Sequence, residues 1–307
     1  MFYSLTNITN LDLSKFDTKK VRTMERMFAK NINLTSLNLS NFDTGNVLDM
    51  SYMFQQCSSL EFIDLSDFNV SKVKNMAYMF DLCISLTSLN ISNFKTDNLV
   101  KVSKMFNRCI SLKSLDISNF QTSKITDLSE MFYMCSSLTS LNLKSFDTSK
   151  VTNMSGIFAF TSDITLLNIE NFDTAKVIEM DYMFYGMHSI DNLDLCHFNT
   201  SNVKTMKFMF ANSHNLTYIN ISNFDTSQVT NYQAMFLGLK NIRDLYLTSF
   251  DFRWKVSSFF FAKISIYSQK SCTFAKNIIN KWKSLEKLEI ELRIITCIIL
   301  LKYNILC

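Results

Sequence analysis

The chain holds no proline, four glycines and three histidines among its 307 residues. A fold that needs many different tight turns is hard to build without the fixed φ of proline or the positive φ that glycine adopts freely. A fold that reuses one turn conformation, closed by Asn, Asp and Ser, remains open. Long apolar runs are also missing. The longest, Ile294 to Leu301, is under half of the roughly 20 residues that a membrane helix needs, so no transmembrane helix is expected. Met1-Phe2-Tyr3 runs straight into polar residues, without the basic and then apolar leader of a secretory signal. Charged residues make up only 19%, with a net charge of +4. That balance is too weak and too evenly spread to call for nucleic acid or an anionic membrane, so no nucleic-acid partner is expected.

What the chain has in abundance is repetition. Met-Phe occurs at 1, 27, 53, 79, 105, 131, 183, 209 and 235, with Ile157-Phe158 in the one remaining slot of the series. The spacing is 26 residues throughout, without insertion or deletion. Nine complete units run from 1 to 234, and a tenth begins at 235 and decays near 252. Positions are numbered here within each unit from its Met. Position 8 is always Leu or Ile, from Ile8 to Ile242. Positions 11 and 13 are likewise Leu or Ile, and position 16 is always Phe, from Phe16 to Phe250. The result, L-x-x-L-x-L-x-x-F, follows the leucine-rich-repeat pattern with Phe in the last slot. Apolar positions 11 and 13 alternate with polar 10, 12 and 14, which predicts a half-buried strand.

The second half of each unit has another spacing. Val151, Met154, Ile157-Phe158 and Thr161 form an apolar stripe that predicts a helix of two to three turns, with Asp147-Thr148-Ser149 as its N-cap. Strand layers near 4.8 Å and helix layers near 8–10 Å cannot stack without bending, so strands are expected on a concave side and helices on a convex one. The fold class expected is α/β: a right-handed leucine-rich-repeat-type solenoid of about ten turns, with a parallel sheet on the concave face and short helices on the convex face. Residues 1–260 form the solenoid. Residues 261–307 form either a divergent cap, with Leu285, Leu288 and Ile290 repeating the strand pattern, or a tail.

The phrase SLTSLNLxxFDTSKVTNMSxMFxxC, recurring in fixed phase over about residues 1–255, resembles the BspA-like leucine-rich-repeat surface proteins of bacteria. The resemblance implies a surface-exposed or secreted, non-enzymatic protein that contacts molecules of a host or neighbouring cell. It brings no catalytic residues and no cofactor. Two departures stand out: the missing leader, and a first residue that is already position 1 of a unit. The second leads us to expect a fragment or an internal start.

Reactive residues fall into columns. Cys57, Cys83, Cys109 and Cys135 all occupy position 5, where other units carry Asn31, Thr161, Met187 and Ser213. A buried column of compact side chains is expected rather than a redox row or metal site, because no C-x2–4-C pair exists. His188 and His214 share position 6 in adjacent units and should be neighbours; no acid recurs beside them as a triad would need. No catalytic residue and no metal site is expected. Position 20 carries Lys20, Lys72, Lys124, Lys150 and Lys176, read either as a solvated edge or as a basic stripe. N-x-S/T triplets such as Asn38-Leu39-Ser40 and Asn153-Met154-Ser155 look like products of composition.

The candidate binding row lies on the strand face at position 12: Asp12, Asn38, Asp64, Asn90, Asp116, Asn142, Asn168, Asp194 and Asn220. No two Asp are adjacent, so an intervening Asn can donate its amide to a carboxylate beside it. That leaves two readings, a self-satisfied ladder or an acceptor-rich ligand row. Position 10 varies most around it, with Phe62, Leu166 and Tyr218 where many units carry Ser. The function expected is adhesion, or protein or glycan binding on a host or neighbouring cell, through the concave face. The alternatives are an intracellular interaction scaffold and a truncated remnant of a larger surface protein.

Overall fold

A computed structural model describes residues 1–247 and 249. The chain divides into two compact units, Met1–Tyr267 and Ser268–Cys307. The second unit, the expected cap or tail, and the apolar run to Cys307 lie outside the described residues.

The described chain is a parallel β-solenoid. Seven repeats carry a three-residue strand: β1 (Phe62–Asp64), β2 (Ser88–Asn90), β3 (Ser140–Asn142), β4 (Leu166–Asn168), β5 (Asn192–Asp194), β6 (Tyr218–Asn220) and β7 (Asp244–Tyr246). Pairing is parallel and always one repeat out, as in Ile63 with Leu89 and Leu193 with Ile219. The strands form three short ladders, β1-β2, β3-β4 and β5-β6-β7. The expected ten turns thus reduce to seven that carry strand. Some interruptions coincide with a missing side-chain bond. Thr at position 9 reaches one repeat back, as Thr87 Oγ1 donates to Glu61 O at 3.0 Å and Thr217 Oγ1 to Asp191 O at 3.1 Å. Ladders stop before Glu61, Lys113 and Asp191, which lack that hydroxyl; β6 and β7 nevertheless pair with Arg243 there, and no strand forms at Thr35 although it makes the bond.

The expected helices are not there. Among the described residues the second half of each repeat is a chain of overlapping β-turns. The apolar stripe itself is right: Val151, Met154, Ile157, Phe158 and Thr161 are all fully buried. The element is wrong because spacings of three also fit turns that close from residue i to i+3, such as Ile157 N donating to Met154 O and Thr161 N to Phe158 O. The remaining N–H groups leave the repeat altogether. Those of Met154, Gly156, Phe158 and Phe160 donate to Glu179, Asp181, Met183 and Tyr185 O in the next repeat at 2.7–3.2 Å. A helix would send them four residues back. Asp147, expected as an N-cap, instead accepts Ser149 N at 3.0 Å in an Asx turn. Without a helix layer the argument for a bend, and with it the concave and convex labels, lapses; the two sides are called the strand face and the turn face below.

The turns impose a backbone cost. Among the described residues, all sixteen non-glycine residues with positive φ fall at positions 26 and 4 of the repeat, from Ser4 (58°) to Ala234 (52°). Left-handed conformation costs roughly 1–2 kcal/mol per L-residue. It is offset because fifteen of them, from Ser4 to Asn212, send their N–H to a carbonyl of the next repeat, as Tyr52 does to Ala77 and Lys104 to Ser129. At Gly186 (φ 66°) a Cβ would stand 2.9 Å from Phe160 Cδ1, so here glycine also makes room for a ring.

Inside, like side chains stack on like. Phe80 and Phe106 lie 5.7 Å apart and nearly parallel, and Phe42 stands over Phe68 at 6.5 Å. A fully buried Phe contributes roughly 1.5–3 kcal/mol by transfer, and such ring pairs add about 0.5–1.5. Polar columns are built in too. The Thr of FDTS is buried and donates to the next repeat, as Thr122 Oγ1 does to Asp147 O and Thr148 Oγ1 to Asp173 O at 2.9–3.0 Å.

Candidate binding surface

Asp64, Asn90, Asn142, Asn168, Asp194 and Asn220 of the position-12 row end strands β1 to β6, while Asp12, Asn38 and Asp116 hold the same position in repeats without a strand. Asp12, Asp64, Asp116 and Asp194 are exposed. Each first serves its own turn, with Oδ1 accepting the N–H two residues on: Ser14, Ser66, Ser118 and Cys196 at 2.9–3.1 Å. Bonds from Ser14, Ser66 and Ser118 hold the carboxyls of Asp12, Asp64 and Asp116 below the ordinary carboxylate range. The cross-repeat ladder forms at two places, Asn90 Nδ2 to Asp64 Oδ1 at 3.1 Å and Asn220 Nδ2 to Asp194 Oδ1 at 3.0 Å. Asn38 and Asn142 face their own turns, accepting Ser40 N and Lys144 N. Asn168 lies half-buried in β4.

Apolar groups flank this row. Phe62 is 53% exposed and Leu166 56% exposed, one on β1 and one on β4. Tyr218 and Tyr246 lie 5.5 Å apart on β6 and β7, beside Asp194 and Asn220. The sites named from sequence therefore share one face but are not one cluster. Phe62 with Asp64, Leu166 with Asn168, and Tyr218 with Asp194 sit on three separate ladders.

The cysteine column does structural work. Sγ of Cys57, Cys83, Cys109 and Cys135 each lies 3.0–3.2 Å from the carbonyl oxygen of Phe28, Phe54, Phe80 and Phe106 in the repeat before. Ser213 Oγ makes the same bond to Phe184 O at 2.7 Å, and Asn31 Nδ2 bonds Phe28 O within its own unit. The column thus accommodates Cys, Ser, Thr and Asn as buried donors, and takes the apolar Met187 and Leu239 in other repeats. Burial pushes the Cys57 and Cys135 thiols up to about 12, and Cys83 and Cys109 well above the ordinary thiol value, opposite to what a nucleophile needs.

His188 and His214 do stack, 5.3 Å apart, and His214 Nδ1 lies 2.7 Å from Gly238 O. Burial and the neighbouring ring hold His188 below the ordinary histidine value. His197 is placed by Ile169 O, 3.1 Å from its Nε2. Among the described residues no group of three or more His, Cys, Asp or Glu is placed to hold a metal. Two of the position-20 lysines act as tethers: Lys124 Nζ donates to Asp97 O and Asn98 Oδ1, and Lys72 Nζ to Asn46 Oδ1, at 2.8–3.0 Å. The N-x-S triplets are not accidents of composition. Asn38 and Asn153 use Oδ1 to accept Ser40 N and Ser155 N, so the triplet is an Asx turn.

One surface escaped the sequence reading. Positions 26 and 3 line the turn face with charged and aromatic groups. Arg26 lies 4.6 Å over the Tyr52 ring, Tyr52 stacks on Tyr78 at 4.6 Å, and Lys104 sits 5.6 Å over Tyr78. Farther along, Phe160, Tyr182, Tyr185 and Phe208 form a second half-buried cluster, with Lys207 5.7 Å over Tyr182. The signal that could have found it is the variety at position 26 (Arg, Tyr, Lys, Glu, Gly, Phe).

Among the described residues no helix is long and apolar enough to cross a membrane. No curated protein matches the chain. A family profile does, over residues 1–114, 60–165 and 152–282, which together take in most of the sequence. Its overlapping matches follow the same repeats that build the solenoid. The chain belongs to the family described as "Mycoplasma protein of unknown function, DUF285".

Proposed function

We propose that this protein is a non-enzymatic adhesion or binding protein of the cell surface, or secreted, that takes a protein or glycan ligand on its strand face. The observation that carries the reading is the exposure of Phe62 and Leu166, each more than half open to solvent, at a position where many repeats carry Ser. Exposed apolar groups beside fixed acceptors mark binding surfaces. The resemblance to BspA-like leucine-rich-repeat surface proteins points the same way, as does a backbone that holds its face fixed while position 10 varies. The structural use of the thiols argues against nucleophilic chemistry in the column where it was conceivable.

The test is retention of the full chain on a glycan array and on intact host-type cells, compared with a Phe62→Ser, Leu166→Ser, Tyr218→Ser triple variant. Serine or a similar polar residue already occupies this position in other repeats, so the variant should fold normally by circular dichroism. Retention should fall at least about tenfold, the loss of some 1.4 kcal/mol. Equal retention by the folded variant would remove the strand face as the site.

A further inference from the structure

Net charge hides a division between the two faces. Along the turn face, the stretch from Arg22 to Arg108 carries seven cations. Its three acids balance them only in part, and Glu130 of the following repeat pairs with Lys104 at 3.2 Å. Asp81 is buried and accepts Gln55 Nε2, and Asp49 is occupied by Ser51 and Asn75. Glu25 remains, 3.6 Å from Arg26. Among the described residues, Arg22, Lys74 and Lys101 are exposed and form no ion pair.

The strand face is the reverse. Positions 9 to 15 carry nine Asp or Glu, against Lys15, Lys113, Lys144 and Arg243. The carboxylates Asp12, Asp64 and Asp116 recur at every second repeat, with Asn between them. The cations Arg22 and Lys74 likewise stand two repeats apart, with Leu48 between them, before the column passes to Val100 and Thr126. Both rows ride on the same coil, so both have a period of about 9.6 Å, twice the strand spacing. Two rows of opposite charge and equal period can meet in register over several repeats, which unrelated partners rarely achieve. The carboxylates are also pre-set: the hydrogen bonds recorded for Asp12, Asp64 and Asp116 all end on Oδ1.

We propose that the turn face of one copy docks on the strand face of a second copy, with Arg22 and Lys74 opposite the Asp12–Asp64–Asp116 row. The contact joins different faces, so each added copy leaves one of each free and association is open-ended. A patch about four repeats long is smaller than a standard stable interface, so the contact is weak, driven by charge and sensitive to salt. It does not rest on the foreign-ligand reading above, and a turn-face variant leaves the strand-face site untouched.

The test is light scattering and sedimentation of the full chain at low ionic strength, where the Debye length is about 30 Å, and in about 1 M salt, where it is about 3 Å. Concentration-dependent growth is expected at low salt and monomer at high salt. Arg22→Glu with Lys74→Glu, both at exposed positions, should weaken self-association at least about tenfold. Mixing that variant with one carrying Asp12→Lys and Asp64→Lys should restore mixed complexes, through the unchanged faces of the two variants and through their reversed ones. A chain that stays monomeric at low salt overturns the proposal. So does association that survives the reversal, or a folded charge-swapped pair that fails to recombine. Retention on heparin or anionic vesicles by a chain that remains monomeric would also overturn it, and would assign the cations to a polyanion.

Discussion

The strand face and the turn face hold the same coil together in different ways. On the strand face the backbone ladder is broken into three pieces. On the turn face it is continuous at two positions: the N–H at position 2 reaches the next repeat from Phe2 to Met27 through to Phe210 to Met235, and that at position 4 does so from Ser4 to Ala29 through to Asn212 to Leu237, while the bridges at position 23 break once, between Lys101 and Asp127. The conspicuous L-x-x-L-x-L motif thus marks the less continuous face. Continuity belongs to the face whose backbone carries the unfavourable left-handed residues. Ordered stacking, rather than conformational preference, keeps those residues in place.

The largest effect that would sharpen this contrast is expected inside the turn ladder. Phe132 is fully buried and stacks between Phe106 and Phe158. Phe132→Ala should cost about 3–5 kcal/mol in denaturant unfolding. A loss below about 1 kcal/mol would mean that the Phe column is not the continuous core described.

Next comes Gly186→Ala, which places a Cβ against Phe160 at positive φ. About 2 kcal/mol of destabilisation is expected. Thr165→Val on the strand face, which removes an exposed bond to Thr139 O, should stay within about 0.5 kcal/mol. Equal effects from the two changes would erase the distinction between the faces.

A smaller change should repair the weaker face. Lys113 stands where Thr87 bonds one repeat back. Lys113→Thr should stabilise by about 0.5 kcal/mol and slow amide exchange near Ser114 and Leu115. Unchanged exchange there would show that position 9 does not set the ladder breaks.

The smallest effect is on pH. His188 titrates below its ordinary value in the folded chain because burial and His214 disfavour its charged form. The unfolded chain therefore binds more protons, so this contribution to stability is full above about pH 6.5 and is lost as pH falls towards the folded value. His188→Ser, the residue at this position in Ser58, Ser136 and Ser162, should flatten the slope between pH 7 and 5. An unchanged slope would place its origin elsewhere.

Much of this was legible because a fixed period constrains every column at once. Burial of Leu60, Phe68, Val151 and Met154, the stacking of Phe42 on Phe68 and the meeting of His188 with His214 all follow from position within the repeat. The helix reading of 151–161 failed because an apolar step of three suits a turn chain as well as a helix. What separates the two is where Met154, Gly156 and Phe158 send their N–H groups, and no side chain records that. The candidate row at Asp12, Asp64 and Asp116 was visible, but the break that puts Phe62, Leu166 and Tyr218 on separate ladders was not. The basic stretch from Arg22 to Arg108 is scattered in sequence and gathers only when repeats stack.

By itself the sequence determined the pitch, the buried columns and the parallel order, since identical units at one spacing can bury their apolar stripes only against copies of themselves. The tertiary structure alone decided the backbone between those columns. Hydrogen bonds to the next repeat hold residues such as Tyr52 and Lys104 at positive φ, a conformation that no isolated segment of L-residues would keep.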